Sequence, residues 1–150
     1  LVHSLHQYSF ENSKIIIEQL TDVNVALKDK NNVGHNPIDK LSSDLRERNV
    51  KTIEYLFSEK LDMALYKKEL IDYIVKSSNI LKNKQTKPSL RQRAFDSLNV
   101  IFNLPQLQSN ENLKESIAKN LAHKCTPEVQ YLWLSAKMPN KGDNIKRPKI

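Results

Sequence analysis

Glycine is nearly missing from this chain: Gly34 and Gly142 are the only two in 150 residues, against a usual share of about 7%. Loops that cradle phosphates or dinucleotides in the P-loop or Rossmann manner need several glycines, because their backbones take positive φ or approach the ligand closely. Neither motif can be written here. Tight β-hairpins also lean on glycine turns, so a β-rich fold is disfavoured. What remains is helix, and the apolar residues follow it. The length suits about one domain, and a hydrophobic fraction of 39% is enough for a modest core.

Helical spacing runs through most of the chain. Leu5 and the group Ile15, Ile16, Ile17 and Leu20 flank Glu11-Asn12-Ser13, which reads as a break between two short helices. From Asp22 to Gly34 turn formers are dense, so 22–35 is expected to be an extended finger without regular helix. Asn36-Pro37-Ile38-Asp39 is a helix start: an asparagine cap, a proline whose missing N–H costs nothing, and an acid on the dipole. Another helix is expected from about Val50, and a longer one from Leu61 to about Lys82. The segment 82–87 is a polar, basic linker. Pro88 opens the next helix and Pro105 closes it; Ser109 or Asn110 caps another; Thr126-Pro127-Glu128 starts the last, with Trp133 as a core anchor or, alternatively, an exposed interface anchor. Residues 138–150 read as a flexible basic tail.

Charge is unevenly spread. Residues 1–60 carry 8 basic and 9 acidic side chains, whereas residues 61–150 carry 16 and 8. Such asymmetry suggests two surfaces of different character, the second one drawn to anionic partners. Lys76, Lys82, Lys84, Lys87, Arg91 and Arg93 follow one another with no acid between them. No aromatic stacking platform interrupts them, which speaks against single-stranded nucleic acid. A solvated loop is the first reading of this stretch; an acidic protein or a membrane surface is the second. Cys125 is the only cysteine, which excludes an internal disulfide and fits a reducing compartment. No apolar run is long enough for a membrane span. With no initiator methionine and no signal peptide visible, a fragment of a longer protein is expected.

Leu5-His6 and Ile38-Asp39 lie 33 residues apart, a spacing at which helical repeats recur. Lys14-Ile15-Ile16-Ile17-Glu18-Gln19-Leu20 resembles the second helix of an ankyrin repeat, and Asp22-Val23-Asn24 its lead into the next hairpin. The run from Asp29 through Gly34 to Asp39 resembles the start of a second repeat, with residues 49–57 as its outer helix. The resemblance to the ankyrin-repeat family covers residues 5–57. It implies a binding scaffold rather than a catalyst, with partner contacts on the finger at Leu27, Lys28, Lys30, Asn31, Asn32, Val33 and His35, and on the inner helix at Asp39, Lys40 and Ser43. Two repeats are too few to bury a continuous core, so further repeats are expected before Leu1, and capping by the helices after Leu61. Abundant Lys, Asn and Ile suit AT-rich codons, and with the resemblance they suggest an effector that acts in the cytoplasm, including that of a host cell.

Other constellations read as ordinary surface or core. His3 and His6 share a helical face, yet no further ligand follows at metal spacing. Cys125 with His123 invites a nucleophile–base reading, although such pairs are rarely adjacent in sequence. Asp44 and Glu47, alternating with Arg46 and Arg48, read as solvated helix surface. The expectation is therefore an all-α chain: degenerate ankyrin-like repeats at 1–60, stacked in an α-solenoid-like manner on a helical region at 61–137. It is expected to be a non-enzymatic protein-interaction module, without metal, cofactor or small-molecule substrate. The alternatives are an accessory helical domain of a larger enzyme and a basic binder of nucleic acid or anionic membrane.

Overall fold

The computed structural model describes residues 2–136, which are all-helical with no strand among them. The expected basic tail lies outside the described residues.

A short 3₁₀ helix, Val2–Gln7, is followed by α1, Phe10–Glu18. The expected break at Glu11-Asn12-Ser13 is not there. Ser9 caps α1, its hydroxyl accepting from Asn12 N at 3.2 Å, and buried Ser13 donates to Leu5 O at 3.1 Å. That bond ties the two helices together across the real break at Tyr8-Ser9. The segment 22–35 is also not uniformly extended. Asp22 caps a single helical turn, α2, Val23–Ala26, through Val25 N. Residues 31–35 then close a tight turn, in which Asn31 Oδ1 accepts from both Val33 N and His35 N at 3.0 Å. Gly34 takes φ +82 there, a conformation that a Cβ would strain.

The next helix starts where the sequence places it. Asn36 and Asp39 form a reciprocal capping box at the head of α3, Pro37–Ser42. Helix α4, Glu47–Tyr55, starts before Val50 and widens into one π turn, Leu56–Lys60, closed by Leu61 N to Leu56 O at 2.7 Å. The wider turn keeps Leu56 and Phe57 both buried. Helix α5, Lys67–Lys82, begins later than Leu61 because residues 62–66 form their own turns. Pro88 opens α6, Pro88–Phe102. Pro105 does more than end it, since it opens a further turn, α7, Pro105–Gln108. Gln106 at this turn donates to Leu61 O at 3.0 Å and accepts from Met63 N at 2.7 Å. Asn110 caps α8, Glu111–Lys124, and α9 spans Pro127–Ala136. The Thr126 hydroxyl does not cap α9; it has no hydrogen-bond partner among the described residues.

Helices pack in pairs: the 3₁₀ helix with α1, α3 with α4, α5 with α6, and α8 with α9. Neighbouring pairs also touch in order. The 3₁₀ helix meets α3, α3 meets α5, and α5 meets α8, while α1 meets α4, α4 meets α6, and α6 meets α9. One apolar core runs unbroken from Leu5 to Ala136 across the 60/61 junction. Its largest fully buried side chains include Tyr66, Tyr73, Phe57 and Phe102, each contributing roughly 1.5–3 kcal/mol or more by leaving water.

Candidate functional site

On α3, residues 39, 40 and 43 share the face opposite buried Ile38, Leu41 and Ser42. On α5, residues 68, 72 and 76 recur every four positions, one helical face, away from buried Leu70, Tyr73 and Ile74. The α3–α5 packing brings these faces together under the 31–35 turn. The result is a groove of about 360 Å³ lined by Gly34, His35, Asp39, Lys40, Ser43, Lys68, Asp72 and Lys76. Four residues expected from the finger and inner helix thus meet one expected from the basic stretch.

The charges in this groove are only partly matched. Asp72 holds Lys68 at 3.0 Å and keeps its ammonium above the ordinary range, by hydrogen bond and by charge. Asp39 is occupied at the helix start, its Oδ2 accepting from Asn36 N at 3.0 Å. Lys76 reaches only the Ser42 hydroxyl, at 3.5 Å. Lys40 has no carboxylate partner among the described residues. The lining therefore carries three lysines against two aspartates, an excess of one positive charge, and neither Lys40 nor Lys76 forms an ion pair among the described residues.

The remaining finger residues divide between core, support and solvent. Leu27 is fully buried, so its place is the core and it offers no contact to a partner. Lys28 lies over the Tyr66 ring, 4.4 Å from its centroid, and 3.4 Å from Glu69 Oε2. Asn31 builds the turn, and Lys30, Asn32 and Val33 project from it, the last two exposed beside Gly34. The finger is anchored rather than free. Tyr66 donates its hydroxyl to Asn24 O at 2.8 Å, Asn24 Oδ1 accepts from Asp62 N at 2.8 Å, and Asn36 Nδ2 donates to Glu69 Oε2 at 2.8 Å.

Glu69 is the residue that sequence reasoning missed. It is a carboxylate only 6% exposed, and it fastens the finger and the α3 start to α5. A signal was present: Glu69 stands among Tyr66, Leu70 and Tyr73 on the apolar stripe of its own helix, where an unpaired acid is costly.

The basic stretch does not act as one patch. Lys76 joins the groove, whereas Lys82, Lys84 and Lys87 are exposed around the 83–87 loop. Arg91 donates to Leu81 O at 3.1 Å, closing the end of α5, and Arg93 donates to Leu45 O at 3.1 Å.

Other candidates offer little chemistry. Burial pushes the Cys125 thiol up despite the Ser78 hydroxyl and the Lys124 charge, which opposes a reactive thiolate; His123 is exposed beside it. His3 lies 3.4 Å from Asp29. Desolvation and then the Lys40 charge hold His6 below its ordinary value. Among the described residues no three His, Cys, Asp or Glu side chains stand together to hold a metal, and no helix is long and apolar enough to cross a membrane. Trp133 is buried against Phe102, as a core anchor.

Comparison with known proteins gives no matching family model, no matching curated protein and no matching solved structure.

Proposed function

We propose that the chain is a non-enzymatic protein-interaction module that holds a segment of a partner in the groove between the 31–35 turn, α3 and α5. In this reading the helix pairs form an α-solenoid-like array, ankyrin-like over 1–60, with the 3₁₀ helix, α3, α5 and α8 as its inner row. The ordered contacts within each row support it. So does the place of the groove, at the junction of a turn and two inner helices. The observation that carries the function is the excess of cations in that groove, Lys40, Lys68 and Lys76 against Asp39 and Asp72, with neither Lys40 nor Lys76 in an ion pair among the described residues. A groove lined by more cations than anions attracts and orients an acidic partner. A single cysteine, Cys125, left free fits a reducing compartment, which we read as the cytoplasm of the producing cell or of a host.

Selection of peptides from a displayed random library, followed by affinity measurement, tests the proposal. Peptides selected on the native chain should be acidic. They should lose about tenfold or more, equivalent to about 1.4 kcal/mol, on the doubly substituted Lys40→Gln, Lys76→Gln chain. Replacing Lys82, Lys84 and Lys87 with Gln should mainly slow association, because mobile surface charges steer encounter. Peptides that ignore the groove pair and depend on the loop lysines would overturn the assignment.

A further inference from the structure

We propose that the edge formed by the 83–87 loop and the α8–α9 junction docks on an anionic membrane face, one that carries phosphatidylserine. Hydrogen bonds place the short junctions of the helix pairs along one edge of the molecule. Arg48, at the start of α4, donates to His6 O at 3.1 Å, and Arg93, near the start of α6, donates to Leu45 O at 3.1 Å. Thr126 N, between α8 and α9, donates to Ser78 Oγ at 3.2 Å, one turn before Lys82. Along the first part of this edge charge is matched, Arg46 with Asp44 and Lys51 with Glu47. Along the second it is not. Residues 82–93 and 123–128 carry six lysines and arginines against one acid, Glu128. Lys82, Lys84, Lys87 and Lys124 are exposed and in no ion pair among the described residues. None of them lines the groove under the 31–35 turn.

The form of this charge favours a plane of lipid headgroups. The cleft beside it, about 280 Å³ between Arg91 and Glu128, holds one charge of each sign, so the excess cations sit outside it, on a loop and two helix ends. Nucleic-acid strands are held in grooves that track the backbone, with aromatic rings for the bases, and 82–93 and 123–128 hold no aromatic residue. A charged membrane face asks only for several cations within a Debye length of one plane, each strengthening attachment about fivefold. Lysine ammonium groups on flexible stems meet that requirement without a fixed geometry. Among the described residues of this edge no large apolar side chain is exposed, so nothing inserts among the acyl chains. The attachment is therefore electrostatic and reversible.

The test uses the whole chain and sedimentation with vesicles of phosphatidylcholine alone, or of phosphatidylcholine with a quarter phosphatidylserine. The chain should partition onto the second and not the first, and added salt should release it. Gln at Lys82, Lys84, Lys87 and Lys124 together should lower partitioning about a hundredfold, with an unchanged melting temperature. Lys84→Gln with Lys87→Gln, confined to the loop, should lower it about tenfold or more, which keeps the test valid if the fourfold change disturbs folding. Removing the same charge at exposed sites elsewhere, Lys14→Gln with Lys67→Gln, should leave binding within about threefold. Equal partitioning onto both vesicles, a loss from the loop pair no greater than from Lys14 and Lys67, or tighter binding to a duplex oligonucleotide at the same salt would overturn the membrane edge.

Discussion

Asn36 uses both ends of its side-chain amide. Its Oδ1 caps α3 by accepting from Asp39 N at 2.9 Å, and its Nδ2 donates to buried Glu69 at 2.8 Å. Aspartate caps a helix as well as asparagine does, so Asn36→Asp isolates the second role. It removes the donor and sets two carboxylates together in a buried place. The expected loss in urea unfolding is about 2–4 kcal/mol, from a buried carboxylate that keeps only Lys28, at 3.4 Å, on that oxygen and from a like charge added. A loss under about 0.5 kcal/mol would mean that the Glu69 anchor does not form. Only half of this residue was legible beforehand: the cap is a local pattern, whereas Glu69 lies 33 positions away.

Glu54 gives a second test at the same scale. It lines a groove between α4 and α6 with Asp96 and Ser97. Desolvation chiefly, with the Asp96 charge adding, pushes its carboxyl above the ordinary 4.5, against the Ser97 hydrogen bond and Lys51. Between 4.5 and the raised folded value, the folded chain binds more protons than the unfolded one. This contribution to stability is therefore full below pH 4.5 and is lost as pH rises through the folded value. Glu54→Gln keeps the shape without the charge, so its melting temperature should exceed the native one at pH 7 and converge with it in acid. A lower melting temperature at pH 7 would show that the ionised carboxylate is stabilising instead.

Among the elements, the seam between α6 and α9 shows what packing adds to periodicity. Ala94, Leu98, Ile101 and Phe102 on one side meet Val129, Leu132, Trp133 and Ala136 on the other, and the Phe102 and Trp133 rings stand edge to face at 5.2 Å. Trp133→Ala should cost about 3–5 kcal/mol in urea unfolding, as for other large aromatic truncations in cores; a cost below about 1 kcal/mol would mean that α9 is not docked in solution. Both helices could be read in advance from Pro88, Pro127 and three- and four-residue apolar steps. Elements of a single turn could not. The α7 turn depends on Gln106 holding Leu61 and Met63, and the π turn on fitting Leu56 and Phe57 into the core together. These are tertiary requirements, and single-turn helices carry too few residues to show a period. The break misplaced at 11–13 has the same origin: Ser13 looked like a helix breaker, but its hydroxyl is satisfied by Leu5 O.

At the scale of the whole molecule, the all-α class followed from scarce glycine and helical spacing. The groove could not be seen in the same way, because its two walls come from parts of the chain that carry different signals. Residues His35, Asp39, Lys40 and Ser43 were selected by a resemblance, and Lys76 by an acid-free run of cations. Only the packing of α3 on α5 unites them. The acid-free run of cations from Lys76 to Arg93 is likewise divided among the groove, the 83–87 loop and arginines turned onto backbone carbonyls. A central claim follows: neither residues 1–60 nor the helices after them make the site alone. Residues 1–60 lack Tyr66 and Glu69, which anchor the finger, and the α5 wall that carries Lys68 and Lys76. They also leave the α3 and α4 faces that α5 and α6 cover open to water. Ordering their backbone costs about 1–2 kcal/mol per residue, which so small a remaining core does not offset. The most direct measurement is a circular-dichroism melt of the isolated 1–60 segment, with titration of the groove-binding peptides against it. The account predicts no cooperative transition and no binding; a cooperative melt with peptide affinity equal to that of the whole chain would contradict it.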